Sequence, residues 1–203
     1  MSAVTGHRPG RPVARPADDR GFTLIELLIA SALFGIVITI VASVVISAIQ
    51  ADRTVRDVTG STTDGQLVAN SVEQIVRNST AVQVAPISGG QSVTVRVRTT
   101  AGGTARCHAF FYDATLGQVY QRSSTSLITA PTPGAVGSEW SVVSAGIEPV
   151  IGSGGTPRPV FAAQGTRGVA VNFTVDGDAG PASLFVTAAT GRGPQSNASP
   201  QCF

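Results

Sequence analysis

The sequence is poor in the residues that carry out chemistry. It has no lysine, two histidines, two cysteines and one tryptophan among 203 residues, and 5% of its residues are aromatic. His7 lies near the start, so His108 beside Cys107 is the one pair that combines a base with a nucleophile. Adjacent strand residues point to opposite faces, which keeps such a pair apart. This inventory argues against an enzyme, and two potential ligands are too few for a zinc site.

Cofactor motifs and a strong charge of one sign are also lacking. The glycine-rich stretch 152–155 has no Lys-Ser/Thr pair of a phosphate cradle, so no cofactor is expected. Four of the 14 arginines and two of the 12 acidic residues precede residue 22, which leaves ten of each. Arg96 and Arg98 share the outer face of a predicted strand, with Arg106 nearby. A neutral surface with few aromatic residues nevertheless makes nucleic acid an unlikely partner.

A long apolar run is present instead. Residues 27–49 carry no formal charge, which is the length of a membrane-spanning helix and more than the apolar region of a cleaved signal peptide. The net positive charge of residues 1–21 predicts that this segment stays in the cytoplasm and that the rest of the chain lies outside. The sequence therefore predicts a single-pass membrane protein with an extracytoplasmic domain.

One carboxylate, Glu26, adjoins this run. An ionised glutamate inside a membrane helix costs about 2.5 to 3.5 kcal/mol on insertion scales, so it needs a partner. Residues 20–30 read R-G-F-T-L-I-E-L-L-I-A and resemble the processing site of type IV prepilins and type II secretion pseudopilins. The resemblance implies that prepilin peptidase cuts between Gly21 and Phe22 and that Phe22 is N-methylated. It also implies that Glu26 pairs with the freed amine of a neighbouring subunit.

The resemblance implies a structural function. We expect a subunit of a type IV pilus or a type II secretion pseudopilus, assembled with other pilins or pseudopilins through its N-terminal helix. Its size, the lack of a proline in that helix and its many predicted strands look more like a minor pilin or a J-type minor pseudopilin than a major subunit. The alternative is a signal-anchored extracytoplasmic sensor or binding domain that stays monomeric.

Two further pairs of residues are candidates for structural or binding roles. Cys107 and Cys202 lie in the predicted extracytoplasmic part, where disulfides persist, so a bond between them is expected. Asp176 and Asp178 flank Gly177 and are weak candidates for a calcium site. Asp-Gly is also a strong signal for a tight hairpin turn, which is the preferred interpretation because calcium needs six to eight oxygen ligands.

The predicted fold is α+β, with a long N-terminal membrane-spanning helix packed on a C-terminal antiparallel β-sheet domain, as in pilins. Residues 1–21 are a cleaved leader, 22–50 a transmembrane helix, 51–79 its amphipathic continuation, and 80–203 a β-rich domain. Apolar residues recur at helical spacing from Leu67 to Val76, and after Pro86 the period changes to two. The predicted strands are 93–98, 105–112, 118–123, 140–144, 159–163, 168–175 and 182–188.

Overall fold

A computed structural model describes residues 23–87, 92–101, 104–177, 180–193 and 201–203. The predicted leader, including Gly21, and Phe22 lie outside these residues. The elements are α1 (Leu24–Arg77), β1 (Ser79–Ile87), β2 (Ser92–Ala101), β3 (Thr104–Asp113), β4 (Gln118–Ser124), β5 (Ser141–Ser144), β6 (Ile147–Pro149), β7 (Phe161–Gln164), β8 (Gly168–Val175) and β9 (Ser183–Thr190). One long helix followed by antiparallel sheets confirms the predicted α+β fold.

The chain divides into two compact units, residues 1–48 and 49–203. The described part of the first unit is the apolar start of α1, which is long and apolar enough to cross a membrane. Its hydroxyl groups bond within the helix: Thr39 Oγ1 donates to the Gly35 carbonyl at 2.8 Å, and Ser43 Oγ to the Ile40 carbonyl at 2.7 Å. These polar side chains therefore need no partner outside the helix.

In the second unit, α1 buries one stripe of valines. Val68, Val72 and Val76 are four residues apart and fully buried, whereas Leu67, also expected on this stripe, is half exposed. The weak helix formers at 59–63 do not interrupt α1, because Ser61 is buried and its hydroxyl lies 3.1 Å from that of Ser183 at the start of β9. Tertiary contacts thus stabilise the helix where local propensity is low.

Two antiparallel sheets cover this stripe. The first has the order β1-β2-β3-β4-β5, and in the second β8 pairs with β6, β7 and β9. The main core contains the valine stripe of α1 together with side chains from both sheets, including Val95, Phe110, Val171 and Phe173. β8 has the predicted bounds, whereas periodicity missed β1 and the three-residue β6. Pro86 is compatible with β1 because that strand lies at the edge of its sheet.

The first sheet has a second core on its other face. This second cluster consists of Cys107, Ala109, Phe111, Tyr120, Ile128, Trp140 and Cys202. The face on which the sequence places Arg96 is therefore not an outer face of the domain, because the second cluster lies on it. Arg96 is partly buried there, and its guanidinium donates to the Ile128 carbonyl at 2.8 Å and to Gln83 Oε1 at 3.0 Å. Burial lowers the pKa of Arg96. The bond to Ile128 holds the segment after β4 onto the sheet, and the bond to Gln83 links β2 to β1.

Candidate assembly and processing site

Glu26 lies in the first turn of α1, which begins at Leu24. Its backbone N–H donates to the Thr23 carbonyl at 3.0 Å and to Thr23 Oγ1 at 3.3 Å. Thr23 is therefore the N-cap of the helix, and Thr-x-x-Glu is the sequence of a capping box. This role of Thr23 was not predicted, although its spacing to Glu26 is present in the sequence. The cap fixes where the helix starts and places the Glu26 carboxylate at its positive end.

The Glu26 carboxylate has no counter-charge among the described residues. No arginine there lies within salt-bridge distance of it. Its neighbours on the helix are large apolar side chains that are themselves exposed, with Leu24 at 77% and Leu27 at 66%. An apolar, exposed helix surface with one unpaired carboxylate suits a lipid or protein environment that supplies a cation.

The structure joins Cys107 to Cys202 in a disulfide, with the two Cα atoms 5.4 Å apart. Both residues are buried in the second cluster, and Phe203 packs against it. Residues 201–203 belong to no helix or strand. The bond therefore attaches the end of the chain to β3 at a point 95 residues earlier in the sequence.

His108 cannot act with Cys107. The two side chains lie on opposite faces of β3, as strand alternation requires, and the Cys107 sulfur is in the disulfide. His108 Nδ1 is buried and makes no hydrogen bond in the described structure. Burial, and secondarily the charge of Arg106, lower the pKa of His108, so the neutral imidazole is favoured. This histidine has the environment of a structural residue rather than of a base.

Asp113, at the end of β3, is a structural residue that the sequence analysis did not single out. It is fully buried, and its carboxylate accepts hydrogen bonds from the N–H groups of Thr115 at 2.8 Å and Gly134 at 2.7 Å. The first bond shapes the β3–β4 turn, and the second holds the segment that covers the second cluster. A charged group is tolerated here because each oxygen has a donor.

The weak calcium candidates lie in the loop between β8 and β9. This loop, residues 176–182, is longer than the tight turn that Asp-Gly suggested, because Val175 pairs with Ser183. Asp176 follows β8, and Asp178 lies outside the described residues. Asp57 of α1 accepts a hydrogen bond from the Gly180 N–H at 2.9 Å, which attaches the loop to the helix. In the described part of the chain, no group of three metal-ligating side chains converges.

Comparison with known proteins identifies the N-terminal segment. A family model described as "Prokaryotic N-terminal methylation motif" matches residues 17–42. No curated protein and no solved structure gives a significant match. The matched segment contains Gly21, Phe22, Thr23 and Glu26. It is typical of type IV pilin-like and pseudopilin-like subunits, which are structural proteins with an N-terminal membrane anchor.

Proposed function

We propose that this chain is a structural subunit of a type IV pilus or a type II secretion pseudopilus. Prepilin peptidase cuts it between Gly21 and Phe22, Phe22 is N-methylated, and the mature chain assembles through its N-terminal helix. The observation that carries this proposal is the position of Glu26. It is the carboxylate that directly precedes the apolar run of residues 27–49, and it lies inside the matched motif.

The chemistry of assembly follows from that carboxylate. Cleavage creates a new amine at Phe22, four residues before Glu26. These two residues of one chain can pair with each other, but such a pair gives no reason for subunits to associate. A pair between the amine of one subunit and Glu26 of the next relieves the buried charge only when two helices meet at one axial offset. The pair therefore specifies the register between neighbouring subunits.

The remaining properties are part of the same proposal. The subunit is inserted in the cytoplasmic membrane with residues 51–203 outside, and it later becomes part of an extracytoplasmic filament. Its size and the uninterrupted, proline-free α1 support a minor subunit. An extracytoplasmic location agrees with the disulfide, since such bonds persist in oxidising compartments.

Substitution of Glu26 tests the proposal. Glu26→Leu should insert in the membrane more favourably, by up to about 3 kcal/mol, yet enter filaments poorly. Glu26→Gln keeps the shape and hydrogen bonding but loses the charge, so it should also assemble poorly. Ser31→Ala is the matched control, because the Ser31 hydroxyl bonds to the Leu28 carbonyl at 3.0 Å within its own helix. The measurement is incorporation into sheared filaments at equal membrane abundance.

Processing is tested separately at Gly21. Gly21→Val should accumulate uncut precursor, because the peptidase must approach the backbone at this position. Mass spectrometry of the wild-type chain should find a methylated Phe22 at the N-terminus. An intact N-terminus, together with wild-type incorporation of both Glu26 variants, would refute the proposal and favour the monomeric, signal-anchored domain.

A further inference from the structure

The second unit gathers arginines around the C-terminal end of α1. We call Arg77, Arg98, Arg167 and Arg192 the basic cluster. Arg77 and Arg192 line the same cavity of about 280 Å³, and the Arg192 N–H donates to the Arg77 carbonyl at 3.2 Å. The Arg167 guanidinium donates to the carbonyl of Gly193, the residue after Arg192. These contacts bring together side chains that are up to 115 positions apart in the sequence.

Few negative charges offset the basic cluster. Arg98 donates to Thr80 Oγ1 at 3.1 Å, and Thr80 lines the same cavity as Arg77. Glu73 forms a salt bridge with Arg77 and is the one carboxylate among the described residues that line this cavity and its neighbour. Arg192 is exposed and forms no salt bridge to any residue in the described ranges. The cluster thus presents a net positive surface.

Carboxylates gather at the opposite end of the same unit. We call Asp57, Asp64 and Asp176 the acidic cluster, because they line one shallow cavity of about 260 Å³. Arg56 is the basic residue at this cavity, and its charge is offset by a salt bridge to Asp52 at 2.9 Å. Asp64 is exposed. This end of the unit is therefore net negative.

The two clusters are too far apart to neutralise each other within one molecule. They are separated along α1 by 13 to 20 residues, which is about 20 to 30 Å at 1.5 Å per residue. β8 spans the same interval, since it starts beside Arg167 and ends beside Asp176. The screening length at physiological salt is about 8 Å, so the exposed Arg192 of the basic cluster and the exposed Asp64 of the acidic cluster remain available to a second molecule.

We infer that the basic cluster of one copy of this chain contacts the acidic cluster of the next copy, end to end along the direction of α1. Different patches meet in such a contact, and a heterologous contact of this kind produces open filaments rather than closed dimers. Like ends repel, so the charges also make successive copies point the same way. This inference rests on the proposed function, to which it adds a contact outside the membrane segment.

Charge reversal at two exposed positions tests the contact. The full-length chain is studied in an uncharged detergent by sedimentation, at about 0.05 M and about 0.5 M salt. We expect Arg192→Glu and Asp64→Arg each to weaken self-association about tenfold at low salt. The self-association of the double variant with both changes should recover to within about threefold of the wild type. At each interface the new glutamate at position 192 then faces the new arginine at position 64. High salt should weaken the wild type and have little effect on either single variant.

Arg158→Glu is the matched control, since Arg158 is exposed and belongs to neither cluster. Its self-association should equal that of the wild type. Equal thermal unfolding of all variants would show that they fold. A double variant as weak as the single ones, or association that does not depend on salt, would overturn the inference. Unchanged association of Arg192→Glu with loss of binding to a DNA oligonucleotide would also overturn it and assign the cluster to nucleic acid.

Filament incorporation of the same variants separates this inference from the proposed function. If Arg192→Glu enters filaments as well as the wild type while Glu26→Gln does not, the function stands and the end-to-end contact is wrong. If the double variant self-associates as expected in detergent but the wild type is never found in filaments, the contact stands and the proposed function is wrong.

Discussion

Removal of the Cys107–Cys202 disulfide should destabilise the second unit strongly. The Cys107→Ala/Cys202→Ala double variant avoids leaving one unpaired thiol. The bond spans 95 residues, and the chain-entropy model assigns a loop of this length about 4.7 kcal/mol at 25 °C. For a unit of this size, each kcal/mol corresponds to about 2 to 4 °C in Tm. The expected decrease in Tm is therefore about 10 to 20 °C.

The structure also predicts which part of the second unit opens first when the disulfide is removed. Cys202 and Phe203 pack on the second cluster, and residues 201–203 are in no helix or strand. Trp140, the single tryptophan of the chain, is in that cluster, with its ring centroid 6.1 Å from that of Phe111. Loss of the bond should let water reach Trp140. Its fluorescence should shift to longer wavelength below the Tm of the main core.

The assay is thermal unfolding of the full-length chain in detergent, followed by Trp140 fluorescence and by near-ultraviolet circular dichroism. Wild-type protein with a strong reductant is the control, and it should behave like the double variant. Membrane insertion should be unaffected, because the apolar part of α1 contains no cysteine. A Tm within about 2 °C of the wild type, or two free thiols in protein from its native compartment, would refute the reasoning.

Three further predictions concern individual residues. An added Cβ at Gly65 would lie within 2.5 Å of the Phe185 ring, so Gly65→Ala should lower the free energy of unfolding by about 1 to 3 kcal/mol. Gly60 has open space around it, so Gly60→Ala should raise the free energy of unfolding by up to about 1 kcal/mol. Equal effects of the two variants in urea titrations would contradict this. Asp113→Ala should cost about 1 to 3 kcal/mol and expose the single tryptophan, because the N–H groups of Thr115 and Gly134 lose their shared buried acceptor. Wild-type fluorescence would exclude that role. The pKa of His108 is lowered on folding, so the neutral imidazole contributes to the stability of the folded state fully above about pH 6.5, and this contribution is lost as the pH falls through the lower folded pKa. His108→Asn should therefore lose less stability than the wild type between about pH 7 and pH 5. An identical dependence of stability on pH in the two proteins would disprove this.

Local pattern predicted the elements whose side chains repeat regularly. The alternating valines of β2 and the apolar run of α1 needed no tertiary information, because strand and helix periods place these residues on one face. β1 was missed since its pattern is irregular and includes Pro86, and three-residue β6 is too short to have a period. The Thr23 cap was predictable from its spacing to Glu26, whereas Asp113 was not, because its Gly134 donor is 21 residues away.

The sequence by itself determined the N-terminal motif, the candidate membrane helix and the near balance of charges. The charge count predicted no strong basic surface, because a count of charged residues does not show where in the fold they lie. Tertiary structure decided where the charges lie, because β8 and β9 run between the two ends of the second unit. Arg192 reaches Arg77 and Arg167 reaches Gly193 at one end, while Asp176 reaches Asp64 of α1 at the other. Strand pairing between distant segments sets these positions, and local period carries no information about it.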